Sequence, residues 1–286
     1  MTAVRKRLAP YWLVLPGGLW LAVFFVIPMV VMVMVSFESG SLESGFTLTG
    51  DWHNFTSMID HYHDQLIRSF KYGLVTTVIT IVLAYPMAYW IAFRGGRHKS
   101  TYLFLILLPF FVTFVIRTIS WQFLLADDGI LLGHLKDWGL LPEGFHVIAT
   151  SYAVIGGLVY NFLPFMVLPI YVALERIDRS LLEAASDLFA SRRAAFTQVV
   201  LPLSLPGVFA GVILTFVPAA SDYVNASILG GTGQIMIGNI IETLYLTNSD
   251  YPHAAALSSI LLAALLLGIF VYAKALGTKD VMDVSA

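Results

Sequence analysis

Six uninterrupted apolar stretches, each long enough to cross a bilayer, constrain what this chain can fold into. They run Tyr11–Phe37, Tyr72–Phe93, Tyr102–Ala126, Ile148–Leu174, Leu203–Ser221 and Ala254–Ala273. A membrane-spanning helix needs about 20 predominantly apolar residues. Arg117, in the third stretch, is the one formal charge in all six. Backbone in hydrocarbon must satisfy its own hydrogen bonds, so the stretches predict helices. Their length and lack of period-two polarity argue against a membrane barrel. The fold class is therefore all-α: a polytopic membrane protein with six transmembrane helices, read as one transmembrane domain over residues 1–286.

Composition agrees. Hydrophobic residues make up 58% and charged residues 12%, against roughly 45–50% and 25% in soluble domains. So much apolar sequence cannot hide in one water-soluble core. A net charge of −2 gives no basic excess for phosphate binding, so nucleic acid is not expected as a partner. The absence of Cys removes disulfides, thiolate metal sites and Cys nucleophiles. Arg5, Lys6 and Arg7 precede the first stretch as in a signal peptide. Its apolar run is too long for an h-region and no clear cleavage site follows, so the span is expected to be retained.

Basic residues near helix ends set orientation. With the N-terminus in the cytoplasm, inner segments hold Arg5, Lys6, Arg7, Arg94, Arg97, Lys99, Arg176, Arg179, Arg192, Arg193, Lys274 and Lys279, twelve of the sixteen Lys and Arg. Both termini are then cytoplasmic. The outer loops about Glu38–Lys71 and Asp222–His253 are substantial, and the inner segment 175–202 is long and rich in charge and Ala.

That inner segment carries the most information. Ser180 and Glu183 have the spacing of a capping box, and helix formers follow through Ala190. Ser191 can cap a second short helix over Arg192–Val200, with Pro202 and Pro206 limiting what continues. Leu181, Leu182, Ala185, Leu188 and Phe189 form an apolar face. Such a face fits a groove on a partner, or lies on the membrane or on the chain's own bundle.

Glu183-Ala184-Ala185, followed by Leu201-Pro202 and Pro206, resembles the EAA signature of ABC-importer permeases. Leu107-Leu-Pro-Phe-Phe, Ile116-Arg-Thr, Leu174-Glu-Arg-Ile-Asp, Asp222-Tyr-Val and Met236-Ile-Gly-Asn extend the similarity, over nearly the whole chain, to permeases of spermidine/putrescine importers. The resemblance implies a type I ABC-importer permease fold in a bacterial inner (plasma) membrane. It implies a second permease subunit as heterodimer partner, two ATP-binding subunits, an extracytoplasmic binding protein and the lipid bilayer. Glu183, Ala184, Ala185, Asp187, Leu188, Phe189, Ala190 and Ser191 would form the coupling segment that docks on the ATPase. Related permeases carry iron, thiamine or amino-acid-like solutes, so other small solutes stay open as alternatives. A secondary transporter is a more distant one, disfavoured because it leaves the inner loop unexplained. The EAA pattern has Gly six residues after its Glu, where this chain has Phe189. A left-handed turn suits Gly, so here either the first helix runs on or the turn is built differently.

No phosphate-binding loop is present, and Gly230-Gly-Thr-Gly-Gln lacks the Lys and reads as a turn. His61 and His63 read as solvated loop residues rather than a metal site, and Asn54-Phe-Thr56 as an accidental sequon. No nucleophile–base pair and no cofactor site is seen, so the chain is expected to be a transport subunit driven by a partner ATPase, not an enzyme. Within the membrane, Arg117 is a structural or gating residue, either paired with an acid on another helix or snorkelling. Asp222, with Tyr223 and Asn225, offers carboxylate, aromatic face and hydrogen-bond acceptor to an ammonium group. An Arg117–Asp222 structural pair is the competing reading. Tyr160, Asn161 and Phe165 would complete an aromatic wall, with Pro164, Pro169 and Pro218 supplying kinks.

Overall fold

The computed structural model describes residues 14–275, and the first and last basic clusters used for orientation lie outside them in part: Arg5, Lys6, Arg7 and Lys279. The same holds for the start of the first span. The described residues are mostly helical, and they form two compact units, residues 14–63 with 240–264, and residues 64–239 with 265–275.

In the first unit, α1 (Val14–Val35) is apolar throughout and buries no side chain. Its environment must therefore be lipid or another protein rather than its own core. A two-stranded hairpin follows, β1 (Glu38–Ser41) and β2 (Gly45–Leu48), antiparallel with Glu38 opposite Leu48. The start of α2 (His53–Arg94) is tied to the end of α1. Buried Asn54 donates from Nδ2 to the carbonyls of Ser36 at 3.0 Å and Glu38 at 2.9 Å. This use of its amide supports the reading of the sequon as accidental. Phe37, Trp52 and Phe55 cluster beside it. His61 and His63 sit on α2, not in a loop, and both are exposed. The helical stretch breaks at Tyr62, where φ −123° and ψ 16° are not helical, so a short amphipathic helix precedes the one that carries the apolar span.

The second unit holds the rest of α2, then α3 (Lys99–Leu107), a 3₁₀ turn at Leu108–Phe111, α4 (Phe114–Leu125) and α5 (Ile130–Asp137). Next come α6 (Ser151–Glu175), α7 (Arg179–Asp187), α8 (Arg192–Ala220), α9 (Val224–Leu229) and the first half of α10 (Ile237–Glu242), whose remaining residues belong to the first unit. The last helix, α11 (Tyr251–Ala275), ends here. Five helices are long and apolar enough to span, or six with the pair 96–111 and 114–137, which is bent by 90° as in a broken span or a re-entrant loop. The third apolar stretch is thus not one continuous helix over Tyr102–Ala126. Pro109 stands at the start of the 3₁₀ turn, and Val112 and Thr113 are extended, so the chain redirects where no apolar pattern marks it.

Helices α6 and α8 make the main packing of this unit. Gly207 and Gly211 allow it: a Cβ on Gly207 would lie 2.5 Å from the Pro169 carbonyl, and one on Gly211 2.6 Å from Met166 Sδ. Small residues let membrane helices approach until backbones touch. Met166, Ile170, Leu174, Val200, Ala84 and Ala88 fill one core cluster, and Tyr72, Leu158, Phe162, Leu229 and Met236 another. Helix α8 runs unbroken through Pro202, because a wide π-helical turn at Phe196–Val200 precedes it. Such a turn makes room for the ring and the missing N–H. The helix that carries the fifth apolar stretch accordingly starts at Arg192, ahead of Leu203.

Candidate functional site: a buried polar layer and an exposed helix

Two parts of the second unit hold the residues singled out by sequence. The first is a buried polar layer where α4, α6 and α9 meet. Asp222, beyond the end of the membrane-spanning helix α8, is 8% exposed. Its Oδ1 accepts from the Asn225 backbone N–H at 2.7 Å and from Asn225 Nδ2 at 3.2 Å, as a carboxylate does at the start of a helix. Burial pushes its carboxyl up to about 6, against the lowering effect of the Asn225 and Ala226 donors. Asn225 Oδ1 accepts in turn from Asn161 Nδ2 at 3.1 Å and from Thr118 Oγ1 at 3.3 Å. Asn161 Nδ2 also donates to Thr118 Oγ1 at 3.2 Å. Asp222, Asn225, Asn161 and Thr118 therefore form one connected network.

Arg117 is not part of it. The Arg117–Asp222 pair, the competing reading, does not form: Asp222 Oδ1 is held by the first turn of α9. The Arg117 guanidinium instead lies over the rings of Phe110 at 4.7 Å and Phe114 at 5.7 Å. It is 8% exposed, and its Nε and Nη1 have no hydrogen-bond partner. Such a charge is costly in a membrane protein and marks functional sites. Phe165 packs on Phe110 at 5.2 Å, and Tyr160 on Trp121 at 5.3 Å. Two of the six pathway candidates are exposed, Tyr223 at 46% and Phe165 at 37%, and the Tyr223 carbonyl accepts from Asn239 Nδ2. Thr118, Phe110 and Trp121 were missed by sequence. Thr118 gives no signal, since a membrane-helix hydroxyl satisfies itself on the i−4 carbonyl, as Thr118 does on Phe114.

The second part is α7 and the turn after it. The capping box at Ser180–Glu183 does not form. Asp178 caps instead, accepting from Ser180 N–H at 2.9 Å. A better cap stands two residues earlier, which leaves Ser180 inside the first turn. That backbone N–H also holds the Asp178 carboxyl below its usual range. At the other end, Phe189 adopts φ +58°. Its N–H donates to the Ser186 carbonyl at 2.9 Å, and Ala190 N–H to Ala185 at 3.0 Å. This is a Schellman turn with Phe in the place normally held by Gly. Neither sequence alternative holds: the helix stops, and the ordinary turn is kept at a cost of about 1 kcal/mol. Ser191 caps α8 as expected, its Oγ accepting from Ala194 N–H at 3.2 Å. Leu182 packs against the core cluster of Met166, Ile170 and Leu174, whereas Leu188 is 81% and Phe189 98% exposed, so among the described residues it is the turn end of the apolar face that lacks cover.

Residues 18–275 match the family model described as binding-protein-dependent transport system inner membrane component. The chain belongs to this family, a multi-pass inner-membrane component of a transport system. Among particular relatives, it is 36% identical over 259 residues to the spermidine/putrescine transport system permease protein PotB of Haemophilus influenzae, covering 90% of each chain. It is 34% identical over 257 residues to PotB of Escherichia coli K12, covering 90% of this chain and 94% of that one. Among solved structures it resembles a bacterial ABC transporter involved in the import of the acidic polysaccharide alginate. The TM-score is 0.69 at 18% identity, over 94% of this chain and 95% of that one. The relatives are transport permeases, and the structural likeness shows the fold.

Proposed function

We propose that this chain is the permease subunit of an ATP-driven polyamine importer. It would form half of an alternating-access pathway with a second, distinct permease. The observation that carries the substrate class is the 36% identity to a spermidine/putrescine permease across nine-tenths of both chains. The whole chain acts as one permease domain with both termini in the cytoplasm. Segment 175–202 transmits movement from two ATP-binding subunits, with Glu183, Ala184, Ala185, Asp187, Leu188, Phe189, Ala190 and Ser191 at the contact. An extracytoplasmic binding protein delivers the amine, and closure of the ATPase dimer and docking of that protein favour each other by linkage.

In this reading the buried polar layer meets the substrate. An ammonium leaving water needs a replacement for its hydration. Asp222 supplies charge, Asn225 and Asn161 supply amide acceptors, and Tyr223, Tyr160 and Phe165 supply aromatic faces. Arg117, held on Phe110 and Phe114, sets a positive charge beside the route and opposes leakage of small cations when the pathway is closed.

Competition for uptake tests the reading. In proteoliposomes carrying the assembled transporter, excess spermidine or putrescine should abolish labelled spermidine uptake, while thiamine, ferric iron and amino acids leave it unchanged. Competition by one of the latter in place of the amines would reassign the substrate.

A further inference from the structure

The turn between α2 and α3 joins two features that the transport reading does not use. The first is an apolar groove of about 470 Å³ between these helices, whose lining includes Pro86, Met87, Trp90, Tyr102, Leu105 and Ile106. Trp90 and Tyr102 stand edge to face at 5.0 Å at its mouth, and Leu105 is exposed along its wall. The second feature is a pair of arginines at that mouth, with His98 beside them. Arg94 lies one helical turn beyond Trp90, and Arg97 and His98 lie in the connecting turn, all three exposed. The His98 ring sits 6.4 Å from that of Tyr102, and Arg97 Nε donates to His98 Nε2 at 3.2 Å. The neighbouring carboxylate, Glu175, is taken by Lys99, whose Nζ reaches both its oxygens at 2.7 Å. Neither Arg94 nor Arg97 has a carboxylate partner among the described residues.

We infer that this is a binding site for one anionic phospholipid. Its phosphate would sit on Arg94 and Arg97, and an acyl segment would occupy the groove. The chemistry on each side matches. Trp and Tyr rings favour the headgroup level of the membrane. Basic residues beside membrane helices attract acidic headgroups, each contributing about 1 kcal/mol. The groove offers an acyl chain a concave apolar wall, whereas bulk lipid meets a convex helix surface. Pairing with Lys99 neutralises Glu175, a nearby charge that would repel a phosphate.

Native mass spectrometry of the full-length chain in detergent, with phosphatidylglycerol or phosphatidylethanolamine added, tests this. Phosphatidylglycerol should be retained roughly thirtyfold better, as two arginines at about 1 kcal/mol each imply. The preference should vanish in an Arg94→Gln/Arg97→Gln double variant, while Leu105→Trp, which fills the groove, should reduce retention of both lipids. Both variants replace exposed residues, and an unchanged melting temperature would show that they are folded. Equal retention of the two lipids by the wild type would overturn the inference. So would an undiminished preference in the double variant. Displacement of the lipid by water-soluble glycerol phosphate would also overturn it, by showing a phosphate site without an acyl anchor.

Discussion

Phe189 is the residue at which chemistry and geometry disagree most. It is held at φ +58° with its ring almost wholly exposed. Both features are unfavourable in the isolated chain, and strain of this kind persists where a function uses it. Phe189→Gly keeps the left-handed turn and removes only the ring. We expect it to be neutral or stabilising by up to about 1 kcal/mol in thermal melts of the isolated chain. The same variant should co-purify less ATPase, and undiminished co-purification would remove the ring from the contact. Asp222 is the second such residue. Its folded pKa of about 6 lies above the ordinary value of 3.8. The stability linked to its neutral form is therefore complete below pH about 4 and lost as pH rises through 6. Asp222→Asn should stabilise the chain at pH 7.5 and leave it unchanged near pH 4. If the carboxylate must be charged to meet an ammonium, uptake should fall as pH drops below about 6, and the Asn variant should be poor at every pH. A variant with wild-type uptake and the same acid limb would take Asp222 out of the pathway.

Among the elements, α7 and the α6–α8 pair carry the account. The Asp178 cap is what starts α7, so Asp178→Ala should cost about 1 kcal/mol of helix stability. It should weaken ATPase stimulation while leaving the bundle folded, as judged by the melting of the assembled complex. Gly211 lies against Met166, and Gly211→Leu would overpack that contact by about 1–3 kcal/mol. A marked fall in melting temperature is expected, and an unchanged one would show that α6 and α8 do not pack as described. Legibility in the sequence differed between elements for physical reasons. Span number and helix type follow from apolar length, which no tertiary contact overrides. The break at Leu108–Phe111 was hidden because a membrane helix and a membrane-buried turn are equally apolar. The cap was misplaced by two residues because Asp178 and Ser180 are both good caps and only packing selects between them. The Phe189 turn was judged by intrinsic cost alone, whereas two backbone hydrogen bonds hold it in place.

For the whole molecule, the sequence brought Asp222, Asn225 and Asn161 forward as separate candidates, and folding joins them through Asn225, with Thr118 as a fourth member. Thr118 was illegible because its hydroxyl can be satisfied within its own helix. The rejected Arg117–Asp222 pair shows the limit of charge arithmetic: a carboxylate at a helix start finds backbone N–H groups before it finds a distant cation. The unpartnered Arg117 leads to a prediction for the assembled transporter. Arg117→Gln should raise passive leak of small cations through the closed pathway, measured by flux from proteoliposomes without ATP, and an unchanged leak would leave it with packing alone. The central claim is that this chain carries polyamines only as part of an ATP-driven assembly. Its most direct test is labelled spermidine uptake into proteoliposomes holding this chain, its second permease and the ATP-binding subunits, with binding protein outside. The account predicts uptake that requires both ATP and the binding protein. Uptake by this chain alone, or uptake driven by an ion gradient without ATP, would contradict it.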